Sequence, residues 1–316
     1  MSVPKGVFRI AVVQSPPVFL DASATARKAA DLITECAANG AQLVVFPEAF
    51  IPAYPDWIWV VPAAKKPILN SLYARLWENS VTIPDETINV VCKAAKSAKT
   101  HVVIGINERN AESSGTSLFN TIVYISDQGE IMGRHRKLVP TGGERLIWSQ
   151  GDGSTLGAFD TTLGRLGGLI CWENYMPLAR MTMYAQGVQI YLAPTWDASD
   201  VWLAGMRHIA KEGGTFVVSS CMALRTNDIP DDCEFKSMYP AGREWINIGN
   251  SCIVNPMGQF IAGPISKSQE VIYGEVDLGE IPANKWILDT AGHYARPDIF
   301  TLSIDRTPRR DLKEED

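Results

Sequence analysis

The sequence predicts an α/β protein in which two mixed sheets pack face to face, with helices on their outer faces. Three observations lead there. The chain opens with a strand, a helix and a strand at the spacing of a βαβ unit, which pairs strands in parallel. Further along, hairpin patterns alternate with more strand–helix units, so parallel and antiparallel pairs mix. No linker or low-complexity stretch divides the 316 residues, so one domain holds both sheets.

The elements follow in order. Residues 8–13 form a buried strand. Residues 22–39 form a helix with Ala29, Leu32, Ile33, Cys36 and Ala37 on one face and Gly40 as its stop. Residues 42–46 are continuously apolar, the mark of a strand covered on both faces. A loop rich in proline and aromatic residues spans 49–67. Helices are predicted over 69–79 and 84–99, the second with Pro84 in its first turn, and a strand over 101–107. Residues 119–126 and 130–137 make a hairpin around Asp127-Gln128-Gly129. A second hairpin joins 158–160 to 165–171. Helix 176–186, strand 188–193, helix 199–212 and strand 215–220 resume the alternation, with Gly213-Gly214 ending the second helix. Strands 252–255, 259–262 and 271–277 complete the sheets. Periodicity fades from 278 to 316, and the charged tip after Arg309 is expected to be mobile.

With 46% hydrophobic and 20% charged residues the chain has ample material for a core. A net charge of −6 argues against nucleic-acid binding. The basic run Arg134-His135-Arg136-Lys137 is short and reads as an ion-paired strand. No secretory leader is recognisable, and no apolar stretch approaches the roughly 20 residues of a membrane span. A cytoplasmic location without membrane contact is therefore expected. The six cysteines, Cys36, Cys92, Cys171, Cys221, Cys233 and Cys252, show no regular spacing, which suits free thiols in a reducing compartment. The four histidines, His101, His135, His208 and His293, form no metal-binding pair, and no glycine-rich nucleotide loop occurs. Neither metal nor cofactor is expected.

The chemistry concentrates at three strand ends. Cys171 closes the run Gly167-Gly168-Leu169-Ile170 at a bend, Glu48 closes Val44-Val45-Phe46-Pro47, and Lys137 closes the strand that starts near Ile131. A thiol, a carboxylate and an amine so placed suit covalent catalysis. Taken singly, each residue has an ordinary role open to it: an inert buried thiol, a helix cap, a solvated lysine.

The flanking residues decide. Phe46-Pro47-Glu48-Ala49-Phe50, Arg136-Lys137-Leu138-Val139-Pro140-Thr141 and Cys171-Trp172-Glu173-Asn174-Tyr175-Met176-Pro177-Leu178 resemble the glutamate, lysine and cysteine motifs of the nitrilase, or carbon–nitrogen hydrolase, superfamily. The likeness runs from residue 8 to about residue 300. Pro52-Ala53-Tyr54-Pro55, Pro140-Thr141-Gly142-Gly143-Glu144-Arg145 and Gly292-His293-Tyr294-Ala295-Arg296-Pro297-Asp298 are similar to its true nitrilase branch, although Ala53 stands where the family often has glycine.

The resemblance implies a four-layer αββα sandwich of the nitrilase type. It implies a hydrolase domain over residues 1–280 and a C-terminal segment, 281–316, that crosses between subunits. It also implies a homodimer that builds larger oligomers or helical filaments, and cofactor-free hydrolysis of a small organic nitrile to the carboxylic acid and ammonia. Residue chemistry agrees: a nitrile carbon is weakly electrophilic and needs a strong nucleophile. Cys171 is the expected nucleophile, ionised with the help of Lys137, which also stabilises developing negative charge. Glu48 is the expected proton acceptor. Glu144 matches the family's second glutamate and is expected to orient Lys137 or water. Glu173 is expected to hold the bend at the thiol. Tyr54, Trp57, Trp172, Thr195 and Trp196 are candidates for the substrate pocket, with Trp172 offering its backbone N–H while its indole packs in the core. His293 is expected to bond Asp298 or backbone. Asn174, where aromatic-preferring relatives carry histidine, argues against benzonitrile as the preferred substrate.

Alternatives remain at this point. An aliphatic amidase or N-carbamoyl amino-acid amidohydrolase would use the same three groups on an amide. A cyanide-hydrolysing enzyme is a closer variant. A non-catalytic assembly scaffold would have been favoured by loss of the glutamate, lysine or cysteine, and all three are present.

Overall fold

The computed structural model describes residues 6–112 and 114–309. The expected mobile tip at 310–316 lies outside them. One sheet holds β1 (Val7–Val13), β2 (Ala41–Val45), β3 (His101–Arg109), β4 (Leu118–Ile125), β5 (Ile131–Arg136) and β13 (Val271–Asp277). Its order is β13-β1-β2-β3-β4-β5, with β1, β2 and β3 parallel and the outer pairs antiparallel. The other sheet holds β6 (Ala158–Thr161), β7 (Gly164–Gly168), β8 (Ile190–Leu192), β9 (Phe216–Ser219), β10 (Ala223–Arg225), β11 (Trp245–Val254) and β12 (Phe260–Ser266). Its order is β10-β11-β9-β8-β7-β6, with β12 also paired to β11 and with β7, β8 and β9 parallel.

Three apolar layers separate four structural ones. Between the sheets, Ile10, Val12, Leu43, Val45 and Val103 meet Leu166, Ile190, Leu192, Phe216, Val218 and Ile253. The strand residues of opposite parity, Ala11, Val44 and Val102, face α1 (Ala22–Ala38) and α3 (Glu86–Ala98). On the far side, Tyr191, Val217 and Cys252 face α4 (Pro177–Ala185) and α5 (Asp200–Gly213). This is the αββα sandwich, and the continuously apolar strands follow from it, because each is covered on both faces.

Helix boundaries follow capping chemistry. Asp21, Asp85 and Ser199 each accept a backbone N–H at the start of α1, α3 and α5. Asp85 is a better cap than Pro84 is an entry residue, so α3 begins two residues later than expected. The helix expected at 69–79 is α2 (Lys66–Glu78). Among strands and α-helices, β10, the first half of β11 and a short helix were missed in whole or in part. The first half of β11 was hidden because Gly249 and Asn250 both take positive φ and break the alternation with a bulge. A short helix, α6 (Glu280–Lys285), contains Pro282 and straddles the expected boundary at 280. The strand expected over 165–171 stops at Gly168, where a Cβ would collide with the Leu192 carbonyl, and the chain then turns.

Candidate active site

All three charged strand ends meet at one end of the paired sheets. After β2 the chain stays on β3: Phe46 N–H donates to the Val103 carbonyl at 2.8 Å and Ile51 N–H to the Gly105 carbonyl at 3.1 Å. Gly105 permits this approach, since any Cβ there would strike the Pro47 carbonyl. Glu48 is thereby turned inward and is 1% exposed. Lys137 follows β5, its N–H bonded to the Asn120 carbonyl (2.8 Å) and its carbonyl to Gly151 N–H (2.8 Å). Cys171 starts a tight turn with φ of 51°, a strained left-handed conformation for a residue with a Cβ. Its N–H donates to the Pro194 carbonyl (2.9 Å), and Asn174 Nδ2 donates to the carbonyls of Leu169 (3.0 Å) and Cys171 (2.8 Å). Asn174 is thus committed to the backbone of the bend and to Tyr191, whose hydroxyl donates to Asn174 Oδ1.

The ammonium of Lys137 bridges two buried carboxylates. It donates to Glu48 Oε1 at 2.8 Å and to Glu144 Oε2 at 2.7 Å. Asn120 Nδ2 also donates to Glu48 Oε1 (2.7 Å), whereas Glu48 Oε2 is buried with no hydrogen-bond partner. Glu144 accepts further from Tyr54 OH (2.6 Å) and from Thr141 N–H (2.7 Å). Thr195 Oγ1 donates to Cys171 Sγ at 3.3 Å.

The charges act on one another. Burial raises the Glu48 carboxyl above its ordinary range, with Lys137 opposing and Glu144 adding to the rise. Burial alone would lower Lys137, but Glu48, Cys171 and Glu144 outweigh it and hold the ammonium above the usual lysine range. Cys171 is raised well above an ordinary thiol by burial and by Glu48, with Lys137 only partly compensating. Burial and the two carboxylates that share Lys137 thus work against the resting thiolate that was expected, and the sulfur is 3% exposed.

The five pocket candidates separate. Tyr54 reaches the cluster through Glu144, and its ring stacks on Trp196 at 4.4 Å and 4°. Thr195 touches the sulfur. Trp57 packs in the helix-side core against Phe19 and Phe235. The Trp172 indole, expected in the core, is 50% exposed and donates to Asp197 Oδ2 at 2.8 Å, which satisfies its N–H at the surface. Sequence reasoning missed Asn120 and Trp148, and met Trp59 only as a member of the aromatic loop. The Trp148 ring centroid lies 5.8 Å from Lys137 Nζ and its Nε1 donates to Asn107, and Trp59 Nε1 donates to Tyr54 OH at 3.2 Å. Asn120 did carry a signal: a lone amide inside the apolar strand Leu118-Phe119-Asn120-Thr121-Ile122 needs a buried partner. His293, at the exposed C-terminal segment, bonds the Ile287 carbonyl at 3.1 Å.

Among the described residues, no group of three or more His, Cys, Asp or Glu side chains is placed to hold a metal ion, and no helix is long and apolar enough to cross a membrane.

Comparison with known proteins places the chain. The carbon–nitrogen hydrolase profile matches residues 9–285. The chain is 41% identical to a nitrilase of Bradyrhizobium diazoefficiens over 96% of its own length and 94% of that protein's. It is 38% identical to nitrilase 1 of Arabidopsis thaliana, over 98% and 90%. Among solved structures, Saccharomyces cerevisiae Nit3, a member of branch 10 of the nitrilase superfamily, superposes with a TM-score of 0.71 at 19% identity, covering 93% of this chain and 98% of Nit3. The chain belongs to the carbon–nitrogen hydrolase family, on its nitrilase branch.

Proposed function

We propose that this chain hydrolyses an organic nitrile to the carboxylic acid and ammonia, with Cys171 as nucleophile, Glu48 as proton carrier, Lys137 as fixed cation and Glu144 as its anchor. Relatives named nitrilases at about 40% identity over nearly the full length support the activity. One observation supports the roles best: Glu48 Oε2 is a buried carboxylate oxygen without a partner, whereas Glu48 Oε1 and both Glu144 oxygens are taken. An orphaned buried oxygen is costly unless it has work to do.

The reaction follows from the charges. Glu48 takes the Cys171 proton as sulfur adds to the nitrile carbon, and that proton moves to nitrogen, giving a thioimidate. Lys137 stabilises negative charge as it develops on nitrogen. Water adds across the C=N bond with Glu48 relaying its proton. The C–N bond breaks and ammonia leaves, giving a thioester. A second water attacks, the C–S bond breaks, sulfur regains a proton and the acid departs. If the C–S bond breaks before the C–N bond, an amide is released.

Ammonia and acid release from benzonitrile, phenylacetonitrile, mandelonitrile, an aliphatic dinitrile and cyanide, each organic nitrile run beside its amide, tests the reading. At least one organic nitrile is turned over with kcat/KM well above its amide. Faster hydrolysis of the amides would make the chain an amidase, and turnover of cyanide alone would make it a cyanide hydrolase.

Residues 281–316 are assigned to contact between subunits of a homodimer that builds larger oligomers. Trp286, Ile287, Tyr294, Ile299 and Phe300 are 57–75% exposed, which supports this. Removing the residues after Phe300 reduces particle size in light scattering; an unchanged size contradicts the assignment. The six free cysteines support a reducing, cytoplasmic location.

A further inference from the structure

Glu173 occupies the third position of the turn that begins at Cys171, where an acidic residue ordinarily does no more than accept the N–H that precedes the turn. Its Oε2 does accept Ile170 N–H at 2.7 Å. Its Oε1 reaches to the other sheet and accepts Leu138 N–H at 2.6 Å. His135 Nε2 lies 3.2 Å and 3.1 Å from the two oxygens. Both side chains are sealed from solvent, at 1% and 0% exposure. Thr155 Oγ1 accepts Arg136 N–H at 3.1 Å and lies 3.4 Å from His135 Nδ1. An ionised carboxylate only accepts, so His135 presents Nε2–H to it.

The register of these bonds gives them meaning. Leu138 follows Lys137, and Ile170 precedes Cys171. One carboxylate therefore grips the backbone beside the cation and the backbone beside the sulfur, across the seam between two sheets. No strand pairing links the end of β5 to the end of β7, which belong to different sheets. The geometry points to Glu173 and His135 as a positioning clamp that fixes the Lys137-to-Cys171 spacing, an inference that rests on the nucleophilic role given to Cys171 above. Neither side chain hydrogen-bonds the sulfur or the ammonium, whose partners are Thr195, Glu48 and Glu144. The clamp acts through the backbone, and an active-site displacement of about 1 Å costs on the order of 10²-fold in rate.

Glu173→Gln tests it. The amide keeps the shape, but its NH2 must face one of the two backbone donors, which orphans that N–H. In the purified full chain kcat falls about 10²-fold while KM stays within about threefold. Alkylation of Cys171 by iodoacetamide, followed by peptide mapping, slows in parallel. His135→Phe removes the donor and repeats the loss. His135→Gln, whose amide nitrogen meets the same carboxylate, restores most of it. A folded Glu173→Gln protein with wild-type kcat and alkylation rate overturns the clamp, as does equal impairment of His135→Gln and His135→Phe. If Glu173→Gln does not fold, the His135 pair decides. If wild type is alkylated at Cys171 but turns over no nitrile, the proposed function fails, and the alkylation rates of the variants still decide the clamp.

Discussion

Strand β5 carries two charge clusters on its two faces, and they are built to opposite ends. Arg134 and Arg136 point to one face, where Glu108 accepts Arg134 and Arg136 on Oε1 and Arg136 and Thr121 on Oε2. Both oxygens of this buried carboxylate are claimed, and the arginines extend to the half-exposed Glu112. His135 and Lys137 point to the other face, where Glu48 has one oxygen bonded twice and the other bonded to nothing. The first cluster holds a strand in place. The second leaves one carboxylate oxygen without a partner in the cluster that holds the Cys171 thiol. Adjacent residues of one strand thus separate structure from chemistry by how completely their carboxylates are satisfied.

That contrast is sharpest in paired substitutions. Glu48→Gln removes the unpartnered oxygen and lowers kcat/KM by about 10³-fold or more. Lys137 keeps Glu144, so Tm does not fall; steady-state assays beside thermal melts check both. Glu108→Gln does the reverse. It leaves two arginines short of an acceptor and costs about 2–3 kcal/mol in denaturant unfolding, while kcat stays within about threefold. A Glu108 variant that lost activity without losing stability would erase the distinction between the faces.

Smaller effects refine it. Tyr54→Phe deletes one donor to Glu144 and lowers kcat/KM about tenfold, because a bond to a buried carboxylate is at stake. The pH profile follows from the direction of the Glu48 shift. As the proposed proton acceptor Glu48 serves only when ionised, and burial raises its pKa, so kcat/KM falls on acidification at a higher pH than a solvated carboxylate would give. Glu48→Gln abolishes that limb. The same rise means that Glu48 contributes stability below its unfolded-state pKa and loses it as pH rises through the folded-state value. The Tm difference of Glu48→Gln over wild type therefore grows in favour of the variant towards neutral pH.

The sequence was legible where burial is uniform. β2 and α1 announce themselves through an apolar run and a 3.6-residue stripe, and the layer order follows from strands covered on both faces. β11 was half hidden, because Gly249 and Asn250 interrupt its period at a bulge that only the neighbouring strands explain. At the site, Glu48, Lys137, Glu144 and Cys171 could be named from their flanks. Their charge balance could not: that one ammonium is shared between two carboxylates depends on packing across the sheets. Tyr54 and Trp57 sit three residues apart in one aromatic loop, yet the first joins the charge cluster and the second the core. Composition holds no sign of which is which.

The account rests most directly on the sulfur of Cys171. Wild-type protein quenched in acid during turnover of a hydrolysed nitrile, then digested and mapped by mass spectrometry, carries the acyl or imidoyl group on the peptide containing Cys171. Cys171→Ala shows neither adduct nor ammonia release. An adduct on another of the six cysteines, or nitrile hydrolysis that survives Cys171→Ala, contradicts it.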